Sequence, residues 1–308
     1  MKFTKLTSSV LAGATLLSIL APTATFAATS TAGSQGPTDD NNGTPLPMTD
    51  KTVAGISFGD NTDNGNTGFL RLQMVPHVLD FGNHKILDNS KRDFTADGKN
   101  TNLDSNNMKA SFDNTDANQT KILNTNDKDL QDVKNTAWAT VVDKQVTRQM
   151  ATPSQYHADT DNHAGLWTLS VKSDDALQRV DNQGNKMGTP VTGAKLAFNN
   201  TKSGLTQEVY GLTGEGQDAT YTADVAALTT APSPAKPAGT IEKTISTTLA
   251  AGGTDQTVAK AAADEGMGAN VYGWLPSDIK LTMPQGFKVE NGVYKANLTW
   301  TLTSDAAS

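Results

Sequence analysis

Metal-ligand side chains alternate in His157-Ala158-Asp159-Thr160-Asp161-Asn162-His163. On an extended backbone His157, Asp159, Asp161 and His163 share one side, and imidazole and carboxylate are the donors that zinc and other transition metals take. The run stands just before a strand, where polar residues are ordinary, so it reads as a loop. Asp60-Asn61-Thr62-Asp63-Asn64-Gly65 opens like a calcium loop with glycine sixth, but its twelfth position is Arg71, where a bidentate glutamate belongs. Dispersed carboxylates and carbonyls of the Asn/Asp-rich stretch from Asp88 to Asp132 are a further calcium option; a hydrated surface loop is the favoured reading there. No metal and no cofactor is expected.

Catalysis is equally poorly supplied. The chain has no cysteine, no Gly-x-Ser-x-Gly, no His-Glu-x-x-His and no phosphate-binding glycine loop. His77, His84, His157 and His163 have no convincing serine neighbour. Acid pairs such as Asp174-Asp175 are common by chance in a chain with 32 acidic residues. The chain reads as a non-enzyme. Net charge is −7, and only Arg71, Arg92, Arg148 and Arg179 carry guanidinium groups, a poor kit for gripping phosphates. Nucleic acid is therefore not an expected partner, and contact with an anionic polymer must rest on shape, hydrogen bonds and aromatic groups.

Tryptophan is the residue with the clearest pattern. In Leu166-Trp167-Thr168-Leu169-Ser170-Val171, alternation puts Trp167, Leu169 and Val171 on one face. In Tyr294-Lys295-Ala296-Asn297-Leu298-Thr299-Trp300-Thr301-Leu302, the same period collects Tyr294, Ala296, Leu298, Trp300 and Leu302, with Lys295, Asn297, Thr299 and Thr301 opposite. Both read as half-buried strands. Their indoles are either core anchors or, together with Trp138 and Trp274, part of a ligand face on which sugar rings stack.

Other elements must hold these strands. Lys2 and Lys5, the apolar stretch from Val10 to Ala21 and Ala24-Thr25-Phe26-Ala27 read as a signal peptide, 1–27, cleaved after Ala27. A flexible spacer is expected at 28–50, then one β-rich region at 51–308 containing the Asn/Asp-rich insert 88–132. No anchor or sorting signal is read in the sequence, so the secreted chain is expected at the cell surface without membrane insertion after cleavage. Strands are expected at Ile56–Phe58, Phe69–Val75, Val78–Gly82, Ala137–Val142, Leu166–Lys172, Ala194–Phe198, Glu208–Gly211, Thr240–Leu249, Asn270–Trp274, Ile279–Met283 and Val293–Thr303. A short helix is expected at Thr257–Glu265. The fold class is all-β: an antiparallel β-sandwich or paired β-sandwich modules, with at most one or two short helices.

The paired triplets Trp167-Thr168-Leu169 and Trp300-Thr301-Leu302 resemble those of the WxL family, surface proteins of low-GC Gram-positive bacteria. Val75-Pro76 with Leu79-Asp80-Phe81-Gly82, then Gly193-Ala194-Lys195-Leu196, Tyr272-Gly273-Trp274-Leu275, Ile279-Lys280-Leu281-Thr282-Met283-Pro284 and the Gly292–Trp300 run add to the likeness. The resemblance spans roughly Thr52 to Leu302. It implies non-covalent attachment to the cell wall through peptidoglycan or an associated wall polymer, in company with other WxL-system surface proteins. The alternative is an adhesin, or a subunit of a surface complex, that binds a host-matrix or bacterial protein through the polar insert.

Overall fold

The computed structural model describes residues 48–55, 70–85, 92–101, 107–109, 111–112, 118–145, 164–207 and 236–304. The expected leader, most of the spacer, Asp60–Gly65, His157–His163, Ile56–Phe58 and Glu208–Gly211 lie outside these residues. Period-two alternation decides the two tryptophan strands. In β9 (Trp167–Ser173), Trp167, Leu169, Val171 and Ser173 are buried while the residues between them are half-buried. In β19 (Val293–Ser304), Ala296, Leu298, Trp300 and Leu302 are buried in the same way. The two strands are antiparallel neighbours, with Leu302 opposite Leu169 and Trp300 opposite Val171.

They centre an eight-stranded sheet. Its order is β11 (Lys186–Met187), β10 (Gln178–Val180), β19, β9, β16 (Gln256–Ala261) and β14 (Thr240–Ile241). β1 (Met48–Gly55) pairs antiparallel with β19 and parallel with β3 (Val78–Asp80). β1 thus begins at Met48, inside the stretch expected as spacer.

The expected helix at Thr257–Glu265 is instead strand β16. Thr257 and Val258 are β-branched, nine residues cannot offset helix nucleation in isolation, and the open edge of β9 offers a ladder. β16 takes it through a bulge between Thr257 and Ala259. The bulge turns both Val258 and Ala259 into buried positions. The expected strand Thr240–Leu249 divides: β14 joins β16, whereas β15 (Ile245–Thr248) joins another sheet. That sheet has the order β15, β12 (Lys195–Phe198), β18 (Ile279–Thr282), β5 (Asp93–Thr95), β6 (Lys99–Asn100).

A third sheet runs β13 (Lys202–Thr206), β17 (Gly268–Trp274), β8 (Ala137–Asp143), β2 (Leu70–Met74). β8, β17 and β2 are buried at every position, because this sheet lies between two cores. Ala137, Ala139, Val141, Tyr272 and Trp274 join the main core, which draws on all three sheets. Met74, Trp138, Val142, Ala269 and Val271 meet a second core with Leu123, Leu130 and Val133. The sheets stack face to face around these cores in a β-sandwich arrangement, and the described ladders are antiparallel except the β1–β3 pair. A small ribbon of β4 (Asn83–His84) and β7 (Asn107–Lys109) stands beside them.

The described parts of the Asn/Asp-rich insert of 88–132 divide: 94–98 and 111–112 are largely buried, whereas 119–132 are mostly exposed apart from Leu123 and Leu130. β5 and β6 extend the five-stranded sheet. The 3-10 turn at Lys128–Val133, started by the Asp127 carboxylate accepting the Asp129 N–H at 2.8 Å, closes the second core. Phe112, Leu123 and Leu130 are buried, and Ile122 stays exposed. Leu123 and Leu130 reach the second core without a regular repeat, so no periodicity announces them.

Candidate functional site

The four tryptophans and the two motif leucines, Leu169 and Leu302, are all inside the protein. Trp167, Trp274 and Trp300 are 0% exposed and Trp138 is 2% exposed. No sugar ring can stack on a flat aromatic face that is already covered. Trp300 instead packs against Trp274 and Phe198, each 5.8 Å away between ring centroids, and Phe198 meets Trp274 at 5.0 Å. Offset and edge-on contacts of this kind stabilise beyond area burial. Trp138 lies apart from the other three, in the second core under the 3-10 turn.

The indole N–H groups differ in what they find. Trp274 Nε1–H donates to the Thr201 hydroxyl at 2.9 Å. Trp300 Nε1–H has no acceptor among the described residues. Trp167 Nε1–H donates to Oδ2 of Asp143 at 3.1 Å. Asp143 ends β8 and is fully buried. Its Oδ2 also accepts the Gly165 N–H at 2.6 Å, and its Oδ1 accepts the Gln145 N–H at 3.0 Å. Burial pushes the Asp143 carboxyl up to about 7, and the hydrogen bonds from Gly165, Gln145 and Trp167 oppose that rise. The carboxylate therefore ties β8 to the entrance of the first Trp-x-Leu strand.

That entrance demands glycine. Gly165 has φ +87°, and a Cβ there would lie 1.8 Å from the Ala262 carbonyl oxygen. Gly266 passes close over the Trp167 ring, where a Cβ would lie 2.8 Å from Cζ2.

At the other end of β9, Asp174 and Asp175 prove to be a clasp. Four residues separate Ser173 from Gln178, but two separate their partners Leu298 and Lys295. The surplus forms a bulge, and its two carboxylates replace missing ladder partners. Asp175 accepts the backbone N–H and the side-chain amide of Asn297, each at 2.7 Å, and pairs with Lys186. Asp174 accepts the Thr299 hydroxyl at 2.7 Å. Sequence reasoning passed over Asp143, Asp174 and Asp175. The usable signal is their position at strand ends, Asp143 closing β8 and Asp174-Asp175 following β9.

The outward side of the same strands is polar. Opposed residues share a face, so the ladders form the rows Thr303–Thr168–Lys260, Thr301–Ser170–Thr257 and Thr299–Lys172. On the far side of β19, the register sets Thr49 beside Thr301 and Lys51 beside Thr299. Rows on neighbouring strands are about 4.8 Å apart. In the β9, β16 and β19 rows this face is made of hydroxyl and ammonium groups, with the Asp174 carboxylate closing it at the Thr299 hydroxyl. Among the described residues no group of three His, Cys, Asp or Glu is placed to hold a metal ion, and no helix there is long and apolar enough to cross a membrane.

No curated protein and no solved structure matches the chain. The family model described as WxL domain surface cell wall-binding does match, over residues 21–305. That span holds both Trp-x-Leu strands, the clasp between them and every sheet described above, and what it describes is a binding module, not a catalyst. The chain belongs to the WxL family of surface domains that bind the cell wall non-covalently.

Proposed function

We propose that the chain holds to peptidoglycan by the outward rows of β9, β16 and β19, while its tryptophans act only as the scaffold that keeps those rows flat. The observation that carries this reading is the split of function between the two faces of the Trp-x-Leu strands. The inward face is spent on Trp167, Leu169, Trp300 and Leu302, all buried. The outward face offers hydroxyls at regular spacing with Lys172 and Lys260 among them. A glycan strand is a chain of hydroxyl, ether and amide groups, and hydrogen-bonding rows suit it better than charge alone. Although the whole sequence carries −7, the ladder positions of the rows Thr303–Thr168–Lys260 and Thr301–Ser170–Thr257 are filled by hydroxyls and an ammonium group.

On this reading the protein is secreted, rests on the wall of a Gram-positive cell and meets other WxL-system proteins there. Pelleting with purified walls tests it. The folded mature protein is expected to sediment with the walls and to be released by soluble wall fragments. Folded protein that stays in the supernatant contradicts it.

A further inference from the structure

A cleft of about 520 Å³ opens where β10 and β19 meet the turn at Asp181–Gly184. We propose that it binds an uncharged, N-acetylated stretch of a glycan strand, seating an acetamido group and the sugar carbons beside it. The proposal rests on the wall-binding reading above, which it extends by one subsite on the same face.

Alternation along β19 puts the cleft in line with the outward rows. Val293, Lys295, Asn297, Thr299, Thr301 and Thr303 alternate with the buried Ala296, Leu298, Trp300 and Leu302. Val293 is the one apolar member of that outward series, and Val180 lies directly opposite it. Phe112 of the insert lines the same space, as does Met187, one of two large apolar side chains exposed among the described residues. A polymer lying along the hydroxyl rows therefore meets an apolar patch at the start of β19, suited to methyl and sugar C–H groups.

The charged groups of the lining are already engaged. The Asp181 carboxylate accepts the N–H of Gln183 at 2.9 Å and the N–H and side-chain amide of Asn185 at 2.8 and 3.0 Å. Those bonds, led by the Asn185 side chain, hold it below the usual carboxylate range. Arg179 Nη1 donates to the Asn291 carbonyl at 3.2 Å and meets Glu290 at 3.0 Å. Lys295 has a partner of its own. A charged ligand would have to break one of these interactions.

Carboxamides complete the rim. Asn182, Gln183 and Asn291 line the cleft and are exposed. The hydrogen bonds of the Asp181 carboxylate use the Gln183 backbone and Asn185, not these three side chains. A carboxamide donates and accepts at once, which matches the N–H and C=O of an acetamido group. Both rims are set in advance, one by the Asp181 turn and the other by Arg179 on Asn291, which lowers the ordering cost of binding. The volume lies within the roughly 300–1,000 Å³ usual for small-ligand sites.

The test follows the isotope-labelled protein by NMR with two neutral trisaccharides, triacetylchitotriose and cellotriose, the second lacking acetamido groups. Triacetylchitotriose is expected to shift the amides of Val180–Gln183 and Asn291–Val293, and cellotriose to bind at least about tenfold more weakly. Affinity is expected to hold from about 0.05 to 0.5 M salt, because no ion pair forms on binding. Asn182→Ala and Gln183→Ala, both in an exposed turn, are each expected to weaken triacetylchitotriose by about threefold to tenfold. If one fails a near-UV circular dichroism check, the other decides. Shifts elsewhere, equal affinity for the two sugars, binding that fades with salt, or folded variants that bind like wild type overturn the proposal. Sedimentation with whole walls is run in parallel. Wild type that sediments yet ignores triacetylchitotriose overturns the cleft and leaves wall binding standing. Wild type that takes the sugar at the cleft without sedimenting overturns wall binding and leaves the cleft.

Discussion

Leu169 and Leu302, the last residues of the two Trp-x-Leu triplets, lie directly opposite each other on adjacent antiparallel strands, both fully buried. Two motifs more than a hundred residues apart are therefore one piece of packing. Each leucine alone, changed to alanine, is expected to cost about 2–5 kcal/mol. Because the two face each other, the double variant should depart from the sum by at least roughly 0.5 kcal/mol. Urea unfolding of the four proteins in the cycle measures this, and strict additivity would contradict the shared packing.

The tryptophans separate by their hydrogen bonds. Trp300→Phe loses no described hydrogen bond, since its N–H has no acceptor among the described residues. Trp167→Phe removes a donor to a buried carboxylate. The second variant should lose more stability by about 1–3 kcal/mol. Trp300→Ala is different, because it empties the cluster with Trp274 and Phe198 and should cost about 3–5 kcal/mol. Thermal and chemical denaturation rank the three, and a Trp300→Phe variant less stable than Trp167→Phe would count against this assignment.

Asp143 makes stability depend on pH. Its folded value lies near 7 and its unfolded value near 3.8, so the folded state keeps the proton longer. The stabilising contribution is complete below about pH 4, declines as pH rises to 7 and is gone above it. The full range is on the order of 4 kcal/mol. Asp143→Asn does not titrate there, so its stability should vary less between pH 4 and 7 than that of wild type. Parallel pH profiles of the two proteins check the sign.

Two glycines of similar φ should tolerate alanine to very different degrees. Gly165, at φ +87°, has the Ala262 carbonyl in the way of a Cβ, whereas Gly184, at φ +83°, has nothing within 4 Å. Gly184→Ala should cost about 1 kcal/mol from backbone strain alone. Gly165→Ala must also move the loop that delivers Trp167, and is expected to abolish soluble expression. Recovery of well-folded Gly165→Ala at wild-type yield contradicts the close approach.

What was legible in the sequence was whatever repeats with period two. Trp167, Leu169 and Val171, and Ala296 through Leu302, were read as strands with one dry face, and those strands are present. What escaped was decided by distant partners. The run from Thr257 was taken as helical on local propensity, yet an open edge of β9 claims it. Leu123 and Leu130 stand among Asn and Asp with no rhythm, because they enter the second core from irregular backbone and a single 3-10 turn. Asp174-Asp175 was dismissed as coincidence, since nothing local shows that Asn297 and Thr299 lie alongside. Whether the tryptophans were core or ligand face was left open, and only burial on all sides, contributed by three sheets, places them inside.

The most direct test of the division between the faces is wall sedimentation of a Ser170→Glu, Thr301→Glu double variant, with near-UV circular dichroism to check the core. These residues are opposed on the outward rows, on the opposite alternation from Trp167 and Trp300. A native spectrum with wall binding weakened at least about tenfold is the result the account predicts. A native spectrum with undiminished binding would contradict it.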